Sequence, residues 1–213
     1  MSPERGYHHG DLRAALVEAS FDLLAECGLR RFSVAAVARR LGVSSAAPYR
    51  HFADRRQLLS AVSSAAARDL RAAIEAAADA AGDDPAARLA AAAGAYVRYV
   101  ARTGAGFHVI FAAELYDVAD DARREQTRAL MTTLLDLGEA VDSAGGEAGD
   151  GPGGEAGGGA RTYPEVVLLV EATIAVAHGY TSLFADGFFA RNSSTVDDIA
   201  ARAVEAAGAL ISH

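Results

Sequence analysis

Residues 44–51 bring together side chains that suit contact with nucleic acid. Arg50 carries a forked guanidinium that can donate two hydrogen bonds to O6 and N7 of guanine. Tyr49 and His51 flank it, and their polar tips are suited to phosphate oxygens. Small residues precede this group and would let the backbone approach base edges and phosphates: Ser44, Ser45, Ala46 and Ala47. The grouping predicts a surface that contacts double-stranded DNA.

Two short helices joined by a tight turn are predicted to position these side chains. Ser33 is a suitable N-cap for a helix whose apolar residues recur at helical spacing, and Gly42 ends that helix. Ser44 or Ser45 is placed to cap a third helix. Pro48 then falls in or next to its first turn, where a missing N–H costs least, so it is not expected to break the helix. The pattern predicts a helix-turn-helix, whose second helix enters the major groove.

Helical periodicity continues on both sides of this motif. Apolar residues from Leu12 onward, with a stop at Gly28, predict a first helix. Asp54 and Gln57 resemble a capping box that opens a long fourth helix, which continues through Ile74. No strand-like alternation competes further along the chain, so we expect an all-α fold of about nine helices.

The charge distribution divides the chain into a basic head and an acidic body. The 213 residues carry a net charge of -8, yet residues 1–68 hold ten Arg against six acidic residues. Residues 69–213 hold ten Arg against 22 acidic residues. This asymmetry lets the head meet phosphate while the body is repelled from it. We therefore predict two domains, 1–68 and 69–213, with a flexible Gly-rich linker at 143–162 inside the second.

Composition argues against several other classes of protein. The single cysteine, Cys27, can form neither an internal disulfide nor a Cys-based zinc site. The N-terminus has no apolar signal core, and the longest apolar stretch, 166–177, is short and interrupted by Glu171, so we expect a cytoplasmic protein that binds no membrane. The Gly-x-Gly-x-x-Gly pattern at 149–154 has no preceding strand and contains Pro152. No cofactor is therefore expected.

An enzyme is the main alternative class. A di-iron site in a helical bundle needs Glu-x-x-His pairs, and no Glu in this sequence has a His three residues on. The Gly-x-Ser-x-Gly and P-loop patterns are also missing. His8 and His9 have no Cys or acidic partner at ligand spacing, so no metal site is predicted. Arg5, Tyr7 and His8 are instead expected to form an N-terminal arm along the DNA.

A second alternative is a helical small-molecule-binding or scaffold protein without DNA-reading activity, which would not need a basic head. Single residues also have structural alternatives. Phe52 is expected in the core rather than at a contact, and Tyr49 could be a core aromatic. Arg39 and Arg40 could form only a solvated helix face.

The motif resembles a known family. "YHHGDLRAALVEASFDLLAECGL", followed by "FSVAAVARRLGVSSAAPYRHFADRRQLLSAV", closely resembles the N-terminal domain of TetR family bacterial transcriptional regulators, over residues 7–63. The resemblance implies a sequence-specific regulator, with repression favoured. It implies base reading by residues 44–47 and Arg50. It implies contacts to the DNA backbone from four residues: Ser33, Tyr49, His51 and Arg55.

The resemblance also implies a homodimer on a palindromic operator. The last two helices, here 166–184 and 196–211, would pair with their mates in a four-helix bundle. Two half-sites would also explain affinity, because the phosphate contacts of one small head are too few for tight specific binding. Packing within one chain is the alternative use of their small residues, and both uses can hold. These residues are Ala172, Ala175, Ala177, Gly179, Ala203 and Ala207.

A body of this class implies a pocket for a small effector. The best lining candidates are aromatic, with core packing as the alternative for each: Tyr96, Tyr99, Phe107, His108 and Phe111. Few charged residues fall on the apolar stripes to which these aromatic residues belong, which indicates a largely apolar or aromatic effector. Its binding would favour a form whose two heads are wrongly spaced for successive major grooves, so DNA is released. The segment around His178 resembles the His-Gly signature of one TetR branch, where this His is more often structural.

Overall fold

Helices form most of the structure, a computed structural model that describes residues 11–147, 163–190 and 194–212. Within these ranges it has eight α-helices: α1 (Leu12–Cys27), α2 (Val34–Arg40), α3 (Arg55–Ala80), α4 (Pro85–Thr103), α5 (Phe107–Ile110), α6 (Asp121–Glu147), α7 (Tyr163–Ala185) and α8 (Val196–Ile211). Single turns of 3₁₀ helix lie at Leu29–Arg31, Pro48–Arg50 and Ala113–Leu115. The predicted all-α fold is confirmed.

Side-chain caps set the starts of two helices that the sequence predicted. Ser33 Oγ accepts a hydrogen bond from the Ala36 N–H at 3.2 Å, at the start of α2. The Asp54 carboxylate accepts one from the Gln57 N–H at 2.9 Å, at the start of α3. Each bond satisfies a backbone donor that the helix cannot pair internally. Both predicted starts are confirmed.

Helix α6 extends further than the sequence predicted. It continues to Glu147 and includes Gly145 and Gly146, although the linker was expected to begin at residue 143. An established helix adds further residues at low cost, and one Gly costs only about 1 kcal/mol relative to Ala. The rest of the predicted linker, 148–162, lies outside the described residues. The same holds for the predicted N-terminal arm, with Arg5, Tyr7, His8 and His9.

The head is a small unit formed by α1, α2 and the first turns of α3. Its helices enclose a core of buried side chains: Leu16, Leu24, Phe32, Val37, Phe52, Leu58 and Leu59. Arg40 fastens α2 to α1, because its guanidinium donates to the Glu26 carboxylate at 2.7 and 2.8 Å and to Asp22 at 3.3 Å. These bonds lower the pKa of the Glu26 carboxyl. The alternative of a solvated helix face therefore fits Arg39, which is exposed, but not Arg40, which joins two helices.

The body is organised around α4, which contacts α3, α6, α7 and α8. Small residues on α4 allow its neighbours to approach closely, and a Cβ at Gly94 would lie 2.8 Å from the Val204 side chain of α8. Helix α3 belongs to both units, since its later turns bury Leu70 and Ile74 in the body. The head is therefore joined to the body by a continuous helix.

The head also meets the body where the end of α4 touches α1. Gly104 caps α4 in the left-handed region, with a φ of 64°. A Cβ at this position would lie 2.4 Å from the backbone nitrogen of Ala25 and 2.5 Å from the carbonyl carbon of Leu24. These are backbone atoms, which cannot rotate away as a side chain can. Only glycine therefore permits this contact.

Helix α7 is unusually apolar. An 18-residue window within it has a mean hydropathy of 1.5, so by length and composition alone it could cross a membrane. A single such helix is a weak indication, because the core helices of water-soluble proteins have the same property. Here α7 packs against α4, α6 and α8, but only 22% of the window is buried within the chain. Much of its apolar surface is left exposed.

We expect Gly104→Ala to lower the free energy of unfolding by about 2–4 kcal/mol, because it adds a backbone clash with α1 to the strain of a left-handed alanine. Gly42→Ala is the matched control. Gly42 also has a positive φ, 68°, just after the end of a helix, but a Cβ there would meet nothing within 4 Å, and the expected loss is about 1 kcal/mol. Urea unfolding measures both. Equal losses would contradict a close contact at Gly104.

Candidate nucleic-acid interface and ligand cavity

The turn after α2 reverses the chain sharply. Gly42 has a φ of 68°, in the left-handed region that favours glycine. The Gly42 N–H donates to the Arg39 carbonyl and the Val43 N–H donates to the Ala38 carbonyl, each at 3.1 Å. This pair of bonds is the Schellman pattern, which satisfies the last carbonyls of a helix. It directs the following residues across the end of α2.

The segment after this turn differs from the predicted third α-helix. Residues 44–52 form turns and the 3₁₀ helix Pro48–Arg50, with the Ala47 N–H bonded to the Ser44 carbonyl at 3.0 Å. Pro48 has no N–H to donate toward Ser44, and in an α-helix its ring would clash with that carbonyl. A regular helix therefore does not form across the proline. The predicted third α-helix was therefore wrong, whereas Pro48 does lie in the first turn of a helix, here the 3₁₀ helix Pro48–Arg50.

Two buried residues hold this segment against the head. Pro48 is buried, and Phe52 is only 3% exposed, beneath the Arg13 guanidinium at 4.6 Å from its ring centroid. The three residues between them point to solvent: Tyr49 is 54% exposed, and Arg50 and His51 are also exposed. The prediction that Phe52 belongs to the core is confirmed, and the alternative that Tyr49 is a core aromatic is wrong.

The other predicted contact residues lie beyond the two ends of α2. Ser44, Ser45 and Ala46 follow its C-terminal turn and are exposed, and Ala47 is half-buried. Ser33, also half-buried, begins α2 as its N-cap. Their contacts with DNA stay predictions.

Arg55 is engaged within the protein. Its guanidinium donates to the Phe32 carbonyl at 3.1 Å and to the Leu29 carbonyl at 3.3 Å, both in the connection between α1 and α2. It also forms an ion pair with Glu114 of the body. Arg56 donates to the backbone carbonyl of Glu114 at 3.1 Å. The predicted phosphate contact of Arg55 stays a prediction, but its charge already has a partner in the body.

Two buried hydroxyl groups connect α3 to the turns of the body. Ser63 Oγ donates to the Ile110 carbonyl of α5 at 2.7 Å, and Ser60 Oγ donates to the Asp120 carboxylate at 2.7 Å. Both serines are fully buried. Because a buried donor that loses its partner costs about 1–3 kcal/mol, these bonds resist separation of α3 from α5 and from the residue before α6.

A cleft of about 420 Å³ lies between α5 and α7. Its lining residues are Phe107, His108, Glu171, Ile174, Ala175 and His178. Behind it is an inner gap of about 10 Å³, enough for one water, lined mainly by apolar residues of α3, α4, α6 and α7. Phe107 and Ile174 line both spaces and so form the wall between them.

The Tyr96 hydroxyl connects this wall to α7. It accepts a hydrogen bond from the Phe107 N–H at 3.2 Å and lies 3.0 Å from His178 Nδ1. The Tyr96 and Phe107 rings stack with centroids 5.1 Å apart. Burial raises the pKa of Tyr96, so the phenol is protonated at neutral pH. His178 therefore has a structural partner, and membership of the His-Gly branch stays a prediction.

The cavity contains some of the predicted lining residues and misses others. Tyr96, Phe107 and His108 line the two spaces, whereas Tyr99 and Phe111 line neither. Tyr99 is buried in the core, and Phe111 stacks on Phe107 with centroids 5.6 Å apart.

Sequence reasoning missed two residues that matter at these sites. Glu171 was noted only because it interrupts an apolar stretch, which is the signal that it faces away from the core. Glu114 gave no signal, because its partner Arg55 is 59 residues distant. Contacts at such separation have no local pattern.

Two protein families match this chain. Residues 16–62 match the family described as "Bacterial regulatory proteins, tetR family". Residues 89–207, more than half of the chain, match the family described as "Tetracyclin repressor-like, C-terminal domain". The two matches fall on the head and on the body. The chain matches none of the curated proteins with which it was compared.

Similar solved structures cover nearly the whole chain. A protein of unknown function from Rhodococcus sp. RHA1 is 29% identical, with a TM-score of 0.66 over 97% of this chain and 98% of that one. A tetR family regulatory protein from Rhodococcus RHA1 is 23% identical, with a TM-score of 0.62 over 93% and 96%. The TetR family regulator PfmR from Thermus thermophilus is 22% identical, with a TM-score of 0.60 over 92% and 97%.

Proposed function

The chain belongs to the tetR family of bacterial regulatory proteins, whose members are DNA-binding transcriptional regulators, and from that premise we propose that it is a cytoplasmic homodimeric repressor. It binds a palindromic operator through two heads and is released by a small, largely apolar ligand. The exposed rim Tyr49-Arg50-His51, held between buried Pro48 and Phe52, is the observation that supports this most directly. No catalytic step is proposed.

The rim favours DNA reading because its orientation is fixed by its neighbours. Pro48 and Phe52 anchor both ends of a short turn, so the intervening side chains have no route into the core. Arg50 and His51 form no ion pair with the described residues, which leaves their donors available. An exposed arginine beside small residues suits guanine in the major groove.

We expect the purified protein to protect a palindrome in the DNA that flanks its own gene. Arg50→Ala should weaken binding to that palindrome about ten- to a hundredfold, because a bidentate base contact is worth about 1–3 kcal/mol. Its affinity for random DNA of equal length should change less than about twofold. Footprinting and titration at two salt concentrations measure both quantities.

Arg128→Ala is the control, because Arg128 is exposed on α6 of the body; it should leave both affinities unchanged. Equal losses on both DNAs for Arg50→Ala would identify a phosphate contact instead. Uniform protection that vanishes with salt would favour the alternative, a helical small-molecule-binding or scaffold protein that reads no sequence.

Release by a ligand requires a connection between cavity and head, and Arg55 supports one. Its guanidinium bonds carbonyls of the α1–α2 connection and pairs with Glu114. Glu114 follows α5, and α5 begins with Phe107 at the cavity wall. We therefore propose that Arg55 braces the head against the body, and that a ligand which moves α5 changes the spacing of the heads.

Arg55→Ala and Glu114→Gln should weaken operator binding by a similar factor, about three- to tenfold, if the ion pair positions the head. Neither should change the slope of log Kd against log salt by as much as one. A slope that falls by about one in Arg55→Ala alone would identify Arg55 as a phosphate contact, as the sequence predicted. Titrations over a series of salt concentrations distinguish these outcomes.

The exposed apolar surface of α7 and α8 supports a homodimer. Leu168 is 63% exposed, Leu183 41% and Leu210 49%, and all three lie on the last two helices. Large apolar side chains left exposed on two helices that pack against each other suit a protein interface. Ala177, Ala203 and Ala207 are buried within the chain, whereas Ala172 and Gly179 keep accessible surface and Ala175 lines the cleft between α5 and α7.

We expect Leu168→Arg to convert a dimer into a monomer, because a buried guanidinium in an apolar interface has no partner. Operator affinity should fall with it, since one head makes too few contacts. Tyr116→Arg is the control, because Tyr116 is 68% exposed but lies outside α7 and α8. Sedimentation equilibrium measures the mass. A Leu168→Arg variant that stays dimeric would place the interface elsewhere.

A further inference from the structure

We infer, on the proposed function above, that the effector is an amphipathic molecule whose polar group is neutral or cationic and carries an N–H or O–H donor. The cleft between α5 and α7 holds that polar group at Glu171 and His178. Carboxylates and phosphates of the same shape are disfavoured there. The inference thus specifies the polar group of the largely apolar ligand already proposed.

The charges around the cleft disfavour an anionic ligand group. As the described residues define it, the lining includes one formally charged side chain, Glu171, and no arginine. Lysine is absent from the whole sequence. An anionic group entering the cleft therefore meets a carboxylate with no cation to offset it. A cation is attracted, and a neutral donor can bond to the carboxylate.

His108 does not supply the missing positive charge. Partial desolvation of the ring, together with the nearby His178 ring at a centroid distance of 6.3 Å, lowers the pKa of His108. Its imidazole is thus neutral at pH 7, since the ordinary histidine pKa is about 6.5. His108 therefore does not offset the charge of Glu171.

The Tyr96 hydroxyl occupies one edge of the His178 ring. Its oxygen accepts the Phe107 N–H at 3.2 Å and lies 3.0 Å from His178 Nδ1. A ligand in the cleft therefore meets the other ring nitrogen, Nε2. The cleft offers this nitrogen beside one carboxylate acceptor, Glu171. A hydroxyl, amide or amine is complementary to this pair, and an amine in its charged form satisfies the acceptor.

The apolar part of the ligand has its own surface. Phe107, Ile174 and Ala175 line the cleft, and Phe107 and Ile174 separate it from the inner gap. That gap is apolar and water-sized, so rotation of Phe107 would join it to the cleft. An aromatic or alkyl body can then replace the stacking that Phe107 makes with Tyr96.

Three probes of matched shape test the polar group: phenylbutylamine, phenylbutanol and phenylbutanoate. Calorimetric titration of the full chain at pH 7, without DNA, should give binding of the amine and the alcohol. The amine should bind about tenfold more tightly than the carboxylate, because attraction in one case and repulsion in the other are each worth up to about fivefold at an exposed carboxylate.

Glu171→Gln should reduce the amine-to-carboxylate ratio to about twofold or less. Glu139→Gln is the matched control, an exposed glutamate on α6 outside the cleft, and should keep the wild-type ratio. A carboxylate that binds as tightly as the amine, a ratio unchanged in Glu171→Gln, or binding of none of the three probes overturns the inference.

These outcomes are separate from those of the proposed function. A chain that fails to protect a palindrome but binds the amine in preference to the carboxylate loses the regulator proposal and keeps this inference. A chain that protects the palindrome but prefers the carboxylate keeps the regulator proposal and loses this inference. Release of protected DNA by the amine, and not by the carboxylate, would support both.

Discussion

The fold depends on α3 being one unbroken helix that is buried at both ends. Leu58 and Leu59 pack in the head, and Leu70 and Ile74 pack in the body. Its 26 residues extend for about 39 Å at the usual rise. Because bending it would expose one of these apolar groups, the direction of the head follows the direction of α3. Any change in the body that tilts this helix moves the head.

The cavity lies where such a change would begin. Helix α5 is only four residues long, and its first residue, Phe107, forms the cavity wall. The carbonyl of its last residue, Ile110, accepts a hydrogen bond from the buried Ser63 hydroxyl of α3. A ligand that displaces α5 must therefore carry α3 with it or break a bond in a low-dielectric interior, where the loss is costly. Because α5 is short and is hydrogen-bonded at both of its ends, at Phe107 and at Ile110, a small movement of one end is passed to the other.

Much of this organisation could be predicted from the sequence, because helix starts and apolar spacing are local. Ser33 and Asp54 mark their helices through bonds to residues three positions on. The prediction failed where one residue has two opposite local effects: Pro48 suits a first helical turn, but it also removes the bond to Ser44. It failed as well for Glu114, whose bond to Arg55 depends on how distant helices pack. Aromatic spacing alone could not distinguish the cavity wall at Phe107 from the core at Tyr99.

Arginine side chains of the head point in two opposite directions, and the neighbouring residues determine which. Arg40 and Arg55 turn inward because carboxylates and backbone carbonyls lie within their reach. Arg50 turns outward because the residues on either side of its turn, Pro48 and Phe52, occupy the core positions. The guanidinium is the same in each case, so residue type alone does not identify a contact surface. The buried anchors of the turn set the direction of the proposed DNA-reading face.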